Sequence, residues 1–273
     1  MPDEEGKRNK DSMSNILIVA VSVCLVCSIV VSGAAVSLKP TRVANKALDK
    51  DKNILMAAGL FKQGETSVTD IDSLFEEFEV RLVDLRNQRL LSTSEALDLG
   101  IDPNTFDQRK AAKDPSLSVA LGPGEDMAGI ARRSHYSVAY LLRENGDISK
   151  IVLPIHGYGL WSIMYGYIAV EGDGQTVAGI TFHDQQETAG LGGEVANPVW
   201  TASWRGKKIY DEDGDVLLNV KKGAVLPESP TAMYEIDGLS GATLTSRGVG
   251  NTIAYWMGDG NYGPILKDLD NQG

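Results

Sequence analysis

Between Ile16 and Leu38 the chain runs for 23 residues without a charge, ILIVAVSVCLVCSIVVSGAAVSL. As a helix this run covers roughly 34 Å at about 1.5 Å per residue, enough to cross the hydrocarbon core of a bilayer. A cleaved export signal is the competing reading, because Ser32-Gly33-Ala34 loosely resembles a small-residue cleavage site. The apolar core of a signal peptide is usually about 7–15 residues, so the run reads as an anchor that stays on the chain. Lys7, Arg8 and Lys10 precede it, and Lys39, Arg42, Lys46, Lys50 and Lys52 follow it. Charge bias alone therefore leaves the orientation open. Cys24 and Cys27 lie inside the run and read as apolar filler; residues 28–273 contain no cysteine. This excludes a disulfide framework, a thiol nucleophile and a thiolate-held cluster from everything after the anchor.

Beyond the run, Val43, Ala47, Leu48, Ile54, Leu55 and Ala58 fall near helical spacing, with Gly59 as a stop. They predict an amphipathic stalk helix over Thr41–Leu60 that continues the anchor past Pro40. A short helix capped by Thr69 or Asp70 is expected next, then a strand over Val80–Leu85, then turns at Asp102-Pro103, Asp114-Pro115 and Gly122-Pro123-Gly124. From Ser134 the pattern turns strand-like. Tyr136–Leu142 and Ile148–Ile155 flank Asn145-Gly146, a strong hairpin signal. A second hairpin pairs Tyr165–Val170 with Thr176–Phe182, and a third is expected around Asp213-Gly214. Helices fit Pro198–Trp204 and Thr245–Trp256. The fold class is α+β: a single N-terminal transmembrane helix, then a mainly antiparallel sheet with flanking helices. The expected organisation is a tail (1–15), the transmembrane helix (16–38), a stalk (39–65), a membrane-proximal part (66–133), a ligand-binding domain (134–263) and a C-terminal tail (264–273).

Charge and composition remove several function classes. Lys plus Arg is 26 against 37 for Asp plus Glu, a net charge of −11. A nucleic-acid binder needs a basic face to replace counterions, so no nucleic-acid partner is expected. The three histidines, His135, His156 and His183, form no metal-ligand spacing, and no metal site is expected. His156 and His183 read as structural histidines rather than a proton relay. Asp211-Glu-Asp-Gly-Asp215 lacks the spacing of a calcium loop and reads as a hairpin turn.

The segment most able to carry chemistry is Asp237-Gly-Leu-Ser-Gly-Ala-Thr-Leu-Thr-Ser246. Ser240, Thr243, Thr245 and Ser246 gather hydroxyls around Gly241, just ahead of an amphipathic helix. Gly241 lets a ligand approach the backbone, and free N–H groups at a helix start favour a phosphate. An ordinary Ser/Thr-rich helix cap has the same composition. A second segment is glycine-rich: Pro154-Ile-His-Gly-Tyr-Gly-Leu-Trp-Ser162, then Gly179–Glu194 with Glu187-Thr-Ala-Gly-Leu-Gly192 inside it. Its glycines bring backbone close to a neighbour, and Leu160, Trp161 and Leu191 are apolar enough to cover an aromatic ring; a pair of Gly-rich loops with Trp and Leu in the core has the same composition.

The motif Asp237-x-x-Ser240-Gly241-Ala242-Thr243-x-Thr245 resembles the flavin-attachment motif of FMN-binding domains in respiratory redox pumps. With His156-Gly-Tyr-Gly-Leu-Trp161, Glu187–Gly192 and Trp200-x-x-x-Trp204-x-Gly206-Lys207-Lys208, the chain is similar to the C subunits of sodium-translocating NADH:quinone oxidoreductases. The resemblance covers the anchor and most of residues 134–263. The family usually has Pro where Ala189 stands, a change that keeps the loop path while loosening it. The resemblance implies one FMN, held covalently through a phosphoester to Thr243. Ser240, Gly241, Ala242, Thr245, Leu160, Trp161, Glu187, Thr188, Gly190, Leu191, Gly192 and Lys207 are then expected around it. Asp237 is expected to serve the flavin-attaching transferase or to shape the loop. It further implies electron transfer without a catalytic side chain, in the inner membrane of a bacterium, with the soluble domain on the periplasmic side. The implied partners are subunits bearing metal centres, a subunit with a second covalent FMN, and the transferase. The related G subunit of ferredoxin:NAD electron-transport complexes is the nearest alternative. A membrane-anchored nucleotide sensor without a redox role is the alternative from another class.

Overall fold

The structure is a computed structural model that describes residues 12–62 and 64–270; Lys7, Arg8 and Lys10 lie outside the described residues. The chain divides into two compact units, residues 1–49 and 50–273. In the first, helix α1 (Met13–Ser37) starts at Ser12, whose Oγ accepts from the Asn15 N–H at 3.3 Å. None of its 25 residues is buried. Among the described residues it is the one helix long and apolar enough to cross a membrane. Helix α2 (Lys39–Ala58) follows, with Pro40 in its first turn, where a missing N–H is harmless.

The end of α2 lies in the second unit, where Ile54, Leu55, Ala57 and Ala58 are buried. Gly59 closes the helix at φ +79°, a left-handed stop that favours glycine. Helix α3 (Ile71–Phe75) leads into strands β1 (Phe78–Asp84) and β2 (Arg89–Leu91). Helix α4 (Thr93–Asp98) begins with a capping box between Ser92 and Glu95. Helix α5 (Gln108–Ala111) and a small ladder of β3 (Ser118–Ala120) with β4 (Arg132–Ser134) come next. Four long strands follow: β5 (Tyr136–Glu144), β6 (Asp147–Tyr158), β7 (Ile163–Glu171) and β8 (Val177–Asp184).

One six-stranded antiparallel sheet, in the order β2-β1-β5-β6-β7-β8, organises this unit. The region before residue 134 thus supplies two strands of the same sheet. The β5–β6 turn has positive φ at both Asn145 and Gly146, the backbone that an Asn-Gly hairpin needs. The Asp173 carboxylate knots the β7–β8 loop by accepting from the Gln175 and Thr176 amides. After β8 come α6 (Pro198–Ala202) and a parallel pair, β9 (Asn219–Val220) and β10 (Glu235–Ile236).

Helix α7 (Thr243–Met257) packs on the sheet through Val249, Ile253, Trp256 and Met257, in one core with Leu153, Ile155, Met164 and Ile168. The expected third hairpin reduces to a single bridge, Tyr210 to Val216. Asp211 Oδ1 accepts from the Asp213 and Asp215 amides, so the acidic run is folded into its own turn and too short to build strands. The segment expected as a C-terminal tail carries helix α8 (Gly263–Asp270), whose Ile265, Leu266 and Leu269 join the core.

Candidate functional site

Thr243 is the first residue of α7, and its side chain is exposed. Three features start the helix here. Gly241 turns the chain at φ +72°. The Ala242 amide donates to Leu239 O at 3.1 Å, and the Leu239 amide donates to Ser246 Oγ at 3.0 Å. Ser246 therefore stitches the preceding loop to the first turn. At the capping position Ala242 makes no side-chain hydrogen bond, so the first-turn amides stay available to an anion.

Glycines on both elements, Gly157 of β6 and Gly248 of α7, serve the approach of this helix to the sheet. A Cβ on Gly248 would stand 2.4 Å from Tyr158 O, and one on Gly157 would stand 2.0 Å from Thr252 Oγ1. For Gly157 the close neighbour expected from the glycine-rich sequence is α7, while Gly179 stands against Ala57 O.

Glu187 joins the two glycine-rich loops to the helix. Its Oε1 accepts from the Leu160 and Trp161 amides at 3.0 and 2.9 Å. Its Oε2 accepts from Thr245 Oγ1 at 2.6 Å. A Cβ on Gly159 would lie 2.6 Å from Oε1, and one on Gly192 would lie 2.8 Å from Oε2. Burial pushes the Glu187 carboxyl up, but the Thr245 hydroxyl and the Trp161 and Leu160 amides outweigh it and leave the carboxyl below its usual range.

Around this knot large apolar side chains face solvent. Leu160 is 37% exposed, Trp161 64%, Leu191 43% and Leu244 45%. Leu191 lies over Gly241, its Cδ2 only 2.9 Å from where a Cβ would stand. Thr243, Ser246, Arg247 and Asn251, one stripe of α7, also line a cleft of about 280 Å³ with Asn219, Lys221 and Lys222. Lys221 is paired with Glu235 at 3.0 Å, while Lys222 and Arg247 are exposed.

The other expected residues are distributed as follows. Asp237 Oδ1 accepts from the Val225 amide at 2.6 Å, and its carbonyl accepts from Trp200 Nε1 at 2.8 Å, so Asp237 shapes the loop before the motif. Ser240, Thr188 and Gly190 are exposed, and Thr188 O accepts from the Leu191 and Gly193 amides. Lys207 donates its ammonium to Ala232 O at 2.7 Å, which ties it to the Ala232–Tyr234 turn. The buried hydroxyl of Thr245 and the backbone at Gly192 face Glu187.

Leu244, Lys222 and Arg247 were absent from the expected set. Arg247 was legible, since it stands four residues after Thr243 and so on the same helical face. Lys222 reaches the cleft through the β9–β10 pairing and left no local signal. His156 is buried, stacked on Tyr165, and held down to about 4 by burial and by the Arg109 charge. His183 stacks on Tyr167 and meets Arg109 at 3.1 Å.

These residues fit a phosphate-linked planar group. The Thr243 hydroxyl is exposed at an uncapped helix start, cations line the adjoining cleft, and apolar side chains stand uncovered beside it.

The model of the FMN-binding domain family matches residues 159–258. The C subunit of the Na(+)-translocating NADH-quinone reductase of Pseudomonas aeruginosa is 45% identical over 262 residues, covering 96% of this chain and 97% of that protein. The corresponding protein of Haemophilus ducreyi is 46% identical over 263 residues, with 96% of each covered. The crystal structure of Shewanella oneidensis NqrC matches with a TM-score of 0.70 at 30% identity, over 83% of this chain and 99% of that one.

Proposed function

The chain belongs to the family of C subunits of Na(+)-translocating NADH-quinone reductases, and on that premise we propose that it relays electrons through an FMN esterified by its phosphate to Thr243. The observation that carries this reading is the exposed Thr243 hydroxyl at the uncapped start of α7, beside a cleft lined by cations. Bound FMN supplies the redox chemistry, accepting and releasing electrons one at a time. The protein supplies position and surroundings. The first-turn amides of α7, with Lys222 and Arg247, offset the phosphate charge. Leu160, Trp161, Leu191 and Leu244 exclude water from the ring face. Asp237 holds the loop that presents the motif.

Residues 16–38 anchor the chain as a single span in a bacterial inner membrane, with the flavin domain on the periplasmic side. The partners are metal-centre-bearing membrane subunits, a subunit with a second covalent FMN, and the flavin-attaching transferase. Electrons arrive from a metal centre and leave toward quinone.

The test is full-length Thr243→Val coexpressed with the transferase. It is expected to lose flavin fluorescence on a denaturing gel while the wild type keeps it. Flavin retained on the denatured variant overturns the attachment site. In membranes, the same variant should stop quinone reduction and spare NADH oxidation by artificial acceptors. Quinone reduction that survives in a normally assembled complex overturns the relay and favours the sensor reading.

A further inference from the structure

Resting on the flavin reading above, we propose that Glu187 is a positioning residue: its buried carboxylate locks the Leu160–Trp161 turn to the first turn of α7. The ring cover and the attachment oxygen are thereby set as one rigid unit. The resemblance placed Glu187 around the flavin itself. The geometry directs it inward instead.

Glu187 is buried, and both carboxylate oxygens are engaged within the protein. Two consecutive amides, from Leu160 and Trp161, converge on Oε1, while the Thr245 hydroxyl reaches Oε2. Thr245 lies two residues after Thr243 in the same turn of α7. The carboxylate thus bridges the two sides of the site. Gly159 and Gly192 leave the space it occupies, since a Cβ at either would collide with it. A second lacing runs beside it: the Gln186 amide donates to Ser162 Oγ at 3.0 Å, and the Gly159 amide donates to Ser162 O at 2.9 Å. Trp161 and Leu160 are too exposed to be held by core packing. The hydrogen bonds of their backbone to Glu187 hold them in place. An active-site group carried on a loop needs this kind of support if it is to meet a cofactor reproducibly.

The bridge is a matter of acceptor geometry, which predicts opposite outcomes for two substitutions. In Glu187→Gln, the amide oxygen can still accept from both N–H groups, and the amide nitrogen can donate to Thr245 Oγ1. In Glu187→Ala all three bonds are lost.

The experiment uses the full-length chain with its transferase and two readouts. The first, on flavin-free protein, is hydrogen exchange across residues 158–163. Exchange at Leu160 and Trp161 is expected to speed up roughly tenfold or more in Glu187→Ala and to stay near wild type in Glu187→Gln. The second, on the flavin-loaded chain, is fluorescence anisotropy and the visible absorption spectrum. Anisotropy should fall and the spectrum should move toward free FMN in Glu187→Ala, with Glu187→Gln restoring both. Unchanged exchange in Glu187→Ala overturns the lock. Changed exchange with an unchanged flavin signal overturns its role in positioning, and Glu187→Gln behaving like Glu187→Ala overturns the geometric basis. Should Glu187→Ala fail to fold, Thr245→Val removes a single bond of the set and must move both readouts in the same direction; no movement overturns the proposal. Wild-type protein without covalent flavin, or Thr243→Val that retains it, would instead overturn the attachment reading and leave the exchange result standing.

Discussion

At its first turn α7 presents Thr243 and Leu244 to solvent, whereas at its last turn Trp256 is fully buried between His156 and Tyr262. The first end is assembled from polar ties: Ser246 to the preceding loop, and Thr245 to Glu187. The far end is assembled from rings. Trp256 lies 4.8 Å from His156 and 5.1 Å from Tyr262, centroid to centroid, and its Nε1 donates to His156 O at 2.7 Å. Tyr262 in turn donates to Pro154 O at 2.9 Å. Burying aromatic surface yields stability with little directional demand, while hydrogen bonds to a buried carboxylate yield position with little area. One helix is thus anchored by packing at its C-terminal end, which leaves its N-terminal end free to expose an oxygen and apolar side chains that a soluble fold would otherwise bury. If the two ends are separable in this way, substitutions at one should change cofactor behaviour and at the other stability.

The largest expected effect is the all-or-none loss of attached flavin in Thr243→Val. Its thermal midpoint should stay near that of flavin-free wild type, because the side chain is exposed. A large fall in that midpoint would show that the first turn also carries stability and would break the comparison.

Trp256→Ala comes next. Removing a fully buried Trp typically costs about 3–5 kcal/mol, read from urea unfolding, while the folded fraction should still accept flavin. Loss of attachment in protein that remains folded would count against separable ends.

His156 gives a pH-dependent version of the same test. Its folded pKa is depressed to about 4 from an ordinary 6.5 by burial, with the Arg109 charge adding to it. Between those values the unfolded chain binds a proton that the folded chain refuses, so stability rises with pH across that window. Acidifying from pH 6.5 to 4 should therefore remove about 3 kcal/mol through this group. His156→Phe should flatten that part of the profile in urea titrations at pH 4.5 and 7, and an unchanged slope would assign the acid sensitivity to other groups.

The smallest stability effect belongs to Trp161→Ala. An exposed side chain away from the core typically contributes within about 0.5 kcal/mol. Its effect should fall on the attached flavin's absorption spectrum and potential. If neither moves, the ring lies elsewhere on the surface.

Several parts of this molecule are written locally in the sequence. The uncharged stretch at 16–38 is long enough for α1 whatever follows it. Asn145-Gly146 fixes the β5–β6 turn, because few other residue pairs adopt positive φ twice in succession. Gly241 and the hydroxyls around it mark the start of α7 to within two residues, while the choice of Thr243 among those hydroxyls comes from the resemblance to a flavin-attachment motif. Each of these depends on periodicity or backbone freedom over a few neighbouring residues, which the chain carries with it before folding.

Tertiary structure decided the rest. Glu187 finds Thr245 across 58 residues of chain, a pairing that requires the sheet and α7 to be in place. That Gly157 of β6 and Gly248 of α7 make room for each other's elements shows only once the helix lies on the sheet. Lys207 is expected around the flavin by resemblance, yet its ammonium is held by Ala232 O, while Lys222 lines the cleft from the segment just after β9. A side chain's charge and hydroxyl are properties of the residue. Whether that group faces a ligand or a neighbour depends on contacts between distant segments, and those exist only once the backbone has closed around them.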